Sequence, residues 1–126
     1  QGFTHNFNHI ENERINIVYH YIKDHYQEKI TLRDIAERVS MTEEYFSKFF
    51  SKIMQKPFFV FLNEYRITIA CKMLIDSDLQ VAEICFLSGY ETLPFFYRQF
   101  KKFKGYTPLA YRKHYQKIVP EETLVK

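Results

Sequence analysis

A chain of 126 residues with 46% hydrophobic and 18% aromatic content is one domain, or two small subdomains sharing a helix. Eighteen Lys and Arg against fifteen Asp and Glu leave a formal charge of +3, which permits nucleic-acid binding without arguing for it. No apolar run approaches the roughly 18–20 residues that span a membrane, and no secretory pattern is present. The two cysteines, Cys71 and Cys85, fall in no CxxC and no Cys/His cluster. That spacing fits a reducing cytoplasm and leaves no metal site.

The opening Gln1-Gly2 resembles a protease-site scar, and residues 1–9 lack periodicity, so they read as a frayed lead-in. From Ile10 the apolar positions Ile15, Val18, Tyr19, Ile22 and Tyr26 predict a first helix over 11–26. Thr31 with Asp34 looks like a capping box opening a short helix over 32–39. A turn at Ser40-Met41-Thr42, with Thr42 as N-cap, leads into a helix over 43–54 that buries Phe46, Phe49, Phe50 and Ile53. Pro57 opens a connector helix to about Asp76, its stripe made by Phe58, Phe61, Leu62, Tyr65, Ile69, Met73 and Leu74. Ser77 with Gln80 offers a capping box for a short helix over 81–87. Gly89 supplies the backbone freedom for a sharp turn. Thr92 can cap the next helix, and Pro94 sits in its first turn, where a missing N–H costs little. Phe96, Phe100 and Phe103 set that helix's inner face, while Tyr97, Arg98, Lys101, Lys102 and Lys104 fall on the others. Gly105 can end it, and Thr107-Pro108 starts a last helix over 108–117, followed by a polar tail. Nothing alternates with period two, so the fold is all-α, with about seven helices.

The chain repeats itself at an offset near 50. Ile35-Ala36 aligns with Ile84-Cys85. After one inserted residue, Phe46, Lys48, Phe50, Lys52 and Phe61 align with Phe96, Arg98, Phe100, Lys102 and Tyr111. Each half is helix, turn, helix with a basic exposed edge. The boundaries are 10–56 for a first helix-turn-helix subdomain, 57–77 for the connector, 78–117 for a second, and 118–126 for the tail. Two such units on one connector can place their recognition helices in successive major-groove turns, about 34 Å apart.

The stretch 89–112 carries the pattern G-[FY]-x5-F-x3-FK-x3-G-x-[ST]-P-x2-YR on Gly89, Tyr90, Phe96, Phe100, Lys101, Gly105, Thr107, Pro108, Tyr111 and Arg112. It closely resembles the C-terminal signature of AraC/XylS-type bacterial transcription regulators, and the resemblance reaches back to about Glu11. It implies a sequence-specific double-stranded DNA reader, cytoplasmic and nucleoid-associated. The family bias is towards activation, with a surface that contacts RNA polymerase. It also implies that an N-terminal sensing or dimerisation region lies outside this fragment. The resemblance puts Glu44, Ser47 and Lys48 where family members commonly contact bases. Lys48 can donate to guanine O6 or N7 and Glu44 can accept from cytosine N4. Glu43 and Glu44 also suit the N-terminal end of a helix dipole.

The matching positions of the second unit are Leu93, Pro94, Tyr97 and Arg98. The family often has polar residues where Leu93 and Pro94 stand. Leu93 can touch a thymine methyl, and Arg98 is the candidate for bidentate guanine readout. The second unit is therefore expected to lean on phosphates and DNA shape. Phosphate contacts are expected from Lys52, Lys101 and Lys102 and from helix N-termini near Thr31, Thr42 and Thr107. Arg66 and Lys72 on the connector are expected to be solvated or paired within the protein, and Arg112 to pair with an acid or a phosphate.

Cys71 and Cys85 read as buried structural thiols, and none of the five histidines has a metal or triad partner by spacing. With three glycines there is no phosphate loop, so no cofactor or enzymatic activity is expected. A rival reading is a helical interaction module that has lost DNA specificity, favoured by Leu93-Pro94 and Glu43-Glu44. A small-molecule sensor is disfavoured, because two small Phe-packed cores leave little room for a pocket of about 300 Å³.

Overall fold

The computed structural model describes residues 2–116, and side chains from His9 onward. Seven helices and no strand occur among the described residues. They are α1 (Gly2–His25), α2 (Leu32–Arg38), α3 (Glu43–Met54), α4 (Phe58–Asp76), α5 (Val81–Leu87), α6 (Leu93–Lys104) and α7 (Pro108–Gln116). The all-α architecture of two helix-turn-helix units with a long connector is as the sequence implies. The chain divides into two units, residues 1–62 and 63–126, so α4 contributes to both.

In the first unit, Val18 and Ile22 of α1 and Ile35 and Ala36 of α2 are buried with Phe46, Phe49 and Phe50 of α3. Phe58 and Leu62, from the start of α4, complete this core. Edge-to-face rings hold it: Phe58 lies 5.5 Å from Phe46 and 5.4 Å from Phe50, centroid to centroid. Such pairs add about 0.5–1.5 kcal/mol each beyond the area they bury. In the second unit Ile67, Ala70, Cys71 and Leu74 of α4 pack with Ile84, Cys85, Tyr90, Phe96 and Phe100. The connector is thus a core helix along its length.

The repeat extends further than the paired motifs. Val18 and Ile22 of α1 precede Ile67 and Cys71 of α4 by 49 residues, and all four are buried. Helices α1 and α4 therefore hold the same place in their units. The backbone repeats too. Ser40 (φ 59°) precedes Gly89 (φ 104°) by 49 residues, and Gln55 (φ 62°) precedes Gly105 (φ 75°) by 50. The first unit makes with Ser and Gln the left-handed turns that the second makes with Gly.

Three expectations need correction. Helix α1 begins at Gly2, ahead of the expected start at residue 11. No proline or internal glycine interrupts that stretch, and polar composition alone does not stop a helix. Ser77 does not cap α5: its Oγ donates to the Met73 carbonyl at 2.7 Å and accepts from the Leu79 amide at 3.3 Å, closing α4 instead. Glu83 takes the capping role by accepting from the Gln80 amide at 3.4 Å. Thr92 stands at the N-cap of α6, but its hydroxyl makes no capping bond. The expected tail over 118–126 lies outside the described residues. No helix among the described residues is long and apolar enough to cross a membrane.

Candidate nucleic-acid interface

Helix α3 starts where Thr42 Oγ1 accepts from the Tyr45 amide at 3.1 Å. With Phe46, Phe49 and Phe50 turned inward, Glu43, Glu44, Tyr45, Lys48 and Lys52 are exposed and Ser47 is half-buried. Glu44 and Lys48 are one turn apart on this face. Glu43 lies 3.9 Å from the Arg33 guanidinium of α2, an exposed pair worth little. The front of α3 is therefore electrically mixed, with two acids and two lysines.

Helix α6 differs sharply. Phe96 and Phe100 are fully buried, and the exposed side carries Tyr97, Arg98, Lys101, Lys102 and Lys104 with no acid on the helix. The Arg98 guanidinium sits 5.5 Å from the Phe95 ring centroid, and Lys102 lies 5.8 Å from that of Phe103. Leu93 is half-buried and packs against the core of the second unit, so only part of it faces outward. Tyr97 is 43% exposed.

The remaining helix starts are partly occupied by the protein itself. Thr31 Oγ1 accepts from the Asp34 amide while the Thr31 amide donates to the Asp34 carboxylate, both at 3.1 Å. The bond from the Thr31 backbone, followed by that to its side chain, holds the Asp34 carboxyl below the usual range. An anion already sits at that end of α2. Thr107 Oγ1 accepts from the Ala110 amide at 3.1 Å, with Pro108 buried behind it. Lys52, Lys101 and Lys102 are exposed.

Arg112 bonds to backbone carbonyls rather than to an acid. Its Nε donates to the Leu74 carbonyl at 2.9 Å and its Nη2 to the Ser77 carbonyl at 3.0 Å, so it caps the end of α4. Tyr90 donates from its hydroxyl to Asn63 Oδ1 at 2.7 Å, and burial raises that phenol's pKa. Tyr111 packs edge-on against Phe100 at 5.3 Å. Apart from Lys101, the residues that carry the signature mainly build the unit. Arg66 is half-buried with its guanidinium 5.9 Å from the Tyr90 ring, and burial lowers its pKa. Lys72 pairs with Asp76 at 3.4 Å. Both cysteines are free and buried, and burial pushes the Cys85 thiol up to about 11. No group of three or more His, Cys, Asp or Glu that could hold a metal exists among the described residues.

A feature the sequence reading missed is Glu11. It lines a cleft of about 160 Å³ together with Tyr45, Lys48, Phe49, Lys52 and Ile53. No spacing rule connects a residue of α1 to the front of α3, because the contact depends on how the two helices pack.

A family model described as a helix-turn-helix domain matches residues 35–114. The chain belongs to the AraC/XylS family. As a member, it is a helix-turn-helix DNA-binding domain of transcription regulators and not an enzyme. The melibiose operon regulatory protein of Escherichia coli is 29% identical over 93 residues, covering 74% of this chain and 31% of that regulator. The C-terminal domain of AraT, a response regulator from Geobacillus stearothermophilus, superposes with a TM-score of 0.78 at 27% identity. That match covers 86% of this AraC/XylS chain and 88% of the other. The DNA-binding domain of AdpA, solved with a target DNA, shares the fold at a TM-score of 0.78 and 24% identity, with 82% and 94% covered.

Proposed function

We propose that this chain is the DNA-reading domain of a bacterial transcription activator, binding double-stranded DNA sequence-specifically with α3 and α6 in successive major grooves. The observation that carries the reading is the equivalence of Lys48 and Arg98. Each stands exposed in the second turn of its unit's third helix, on the side away from a buried phenylalanine pair, at an offset of 50. That is where a recognition helix presents side chains to base edges. The AdpA domain, which has this fold, was captured with DNA.

In this reading Glu44, Ser47 and Lys48 contact bases from the first unit, and Leu93, Tyr97 and Arg98 from the second. Arg98 reads guanine through its fork, and the exposed part of Leu93 meets a thymine methyl. Lys52, Lys101, Lys102, Thr42 and Thr107 hold phosphates, while Thr31 offers only its hydroxyl because Asp34 already occupies that helix end. The four cations of α6 make the second unit the stronger phosphate holder. Base discrimination is spread more widely over α3. The chain spans 31% of the melibiose regulator's length. In this reading the domain also offers a surface to RNA polymerase and works in the cytoplasm at the nucleoid, alongside a sensing or dimerisation region of the same regulator.

The test is selection from random duplexes of about 25 base pairs, followed by sequencing of the retained pool. Two motifs about one helical turn apart are expected. A pool with no enrichment, bound only through a steep salt dependence, would refute sequence-specific reading.

A further inference from the structure

Glu11 Oε1 is fully shielded from solvent and accepts no hydrogen bond, the one side-chain oxygen or nitrogen of that kind among the described residues. It lines the same cleft as Lys48 and Lys52 on the front of α3. A carboxylate oxygen without a partner is costly and is drawn to any ammonium within reach. Lysine's four-carbon stem lets its charge swing between alternatives. The cleft therefore sets two flexible cations beside a built-in anion, on the face assigned above to DNA.

We propose that Glu11 is an affinity- and specificity-determining residue of the first unit, an intramolecular rival of DNA phosphate for Lys48 and Lys52. The inference rests on the DNA-reading proposal and adds a cost to it. When DNA arrives, each lysine drawn towards a phosphate moves against the pull of the Glu11 carboxylate in the same cleft, so non-specific phosphate binding gains less. A base contact by Lys48 recovers that loss only on a correct sequence. The second unit has no counterpart, because the position 49 residues after Glu11 is Val60 and α6 carries no acid. Glu44 also neighbours Lys48, one turn away on α3, but it is exposed and its attraction is screened by solvent.

The experiment compares Glu11→Gln with Glu13→Gln, which makes the same charge change at an exposed site on the same helix. Glu11→Met, which also removes the shielded polar oxygen, guards against a glutamine that packs badly. Each variant is titrated with a selected duplex and a scrambled one over a range of salt. The account expects both Glu11 variants to tighten the scrambled duplex about three- to tenfold and the selected one less, lowering the specificity ratio. Glu13→Gln should produce less than half of that gain, and the gain should vanish when Lys48 and Lys52 are both alanine. Equal effects of Glu11→Gln and Glu13→Gln, or weaker binding in both Glu11 variants, would overturn the inference while leaving the DNA-reading proposal standing. A wild type that binds neither duplex would overturn that proposal itself, and this one with it.

Discussion

The Arg112 guanidinium donates to the Leu74 carbonyl oxygen at 2.9 Å, joining residues 38 apart in the chain. The last carbonyls of a helix have no partner within it and carry the negative end of its dipole. Arg112, with Gln116 adding a bond to the same Leu74 oxygen at 3.1 Å, satisfies that end of α4 and fastens α7 to it. The arginine of the signature is therefore a structural clasp within the second unit.

Replacing Arg112 by Ala should cost about 1.5–3 kcal/mol of stability, the range for charge-assisted hydrogen bonds. Arg112→Lys keeps the charge but loses the fork, so it should fall between Ala and wild type. Urea unfolding checks the order. DNA affinity corrected for folded fraction should change little, whereas a large loss of binding without loss of stability would point to a phosphate contact.

Two of the left-handed turn positions, Gly105 and Gln55, provide a matched pair of backbone tests. A Cβ added at Gly105 meets nothing within 4 Å, so Gly105→Ala is charged only for its φ of 75° and should lose about 1 kcal/mol. Gln55→Gly relieves the same strain in the first unit but gives up the bond from Gln55 Nε2 to the Lys52 carbonyl at 2.9 Å. A net gain of about 0.5 kcal/mol is expected. Thermal melts of both variants should shift in opposite directions.

Asp34 gives the acid limb of stability. Its folded pKa is depressed by the Thr31 bonds, so its contribution is present above the unfolded carboxyl value of about 3.9 and is lost as pH falls through the folded value. Melting temperature measured from neutral pH to about pH 3 should drop less steeply in Asp34→Asn than in wild type. Parallel curves would show that the capping box contributes nothing through its charge.

Lys101 and Lys102 are assigned to phosphates, which carry no sequence information. Alanine at each should weaken selected and scrambled duplexes alike and reduce the slope of log affinity against log salt by about one. A loss confined to the selected duplex would move the residue to the base-contact set.

Much of this was legible in the sequence because local chemistry and packing agree. The Phe46/Phe96 and Phe50/Phe100 repeats, the Thr31, Thr42 and Thr107 caps and the Gly105 stop all sit where spacing puts them. What escaped depends on long-range geometry or on residues acting against type. Ser40 and Gln55 adopt positive φ without being glycine. Ser77 turns back on α4, because a hydroxyl can bond in either direction along the chain. Arg112 and Glu11 find their surroundings on helices distant in sequence. Glu44, Lys48, Tyr97 and Arg98 were legible as exposed positions, since a face opposite buried phenylalanines must point outward, whereas Ser47 and Leu93 are half-buried.

In the proposed function two equivalent units each read bases, through Lys48 in one and Arg98 in the other. The most direct measurement repeats the random-duplex selection in parallel with wild type, Lys48→Ala and Arg98→Ala. The account predicts that each variant loses base preference in one segment of the enriched motif, a different segment for each, while the other segment stays as in wild type. Both variants returning the full wild-type motif would contradict it.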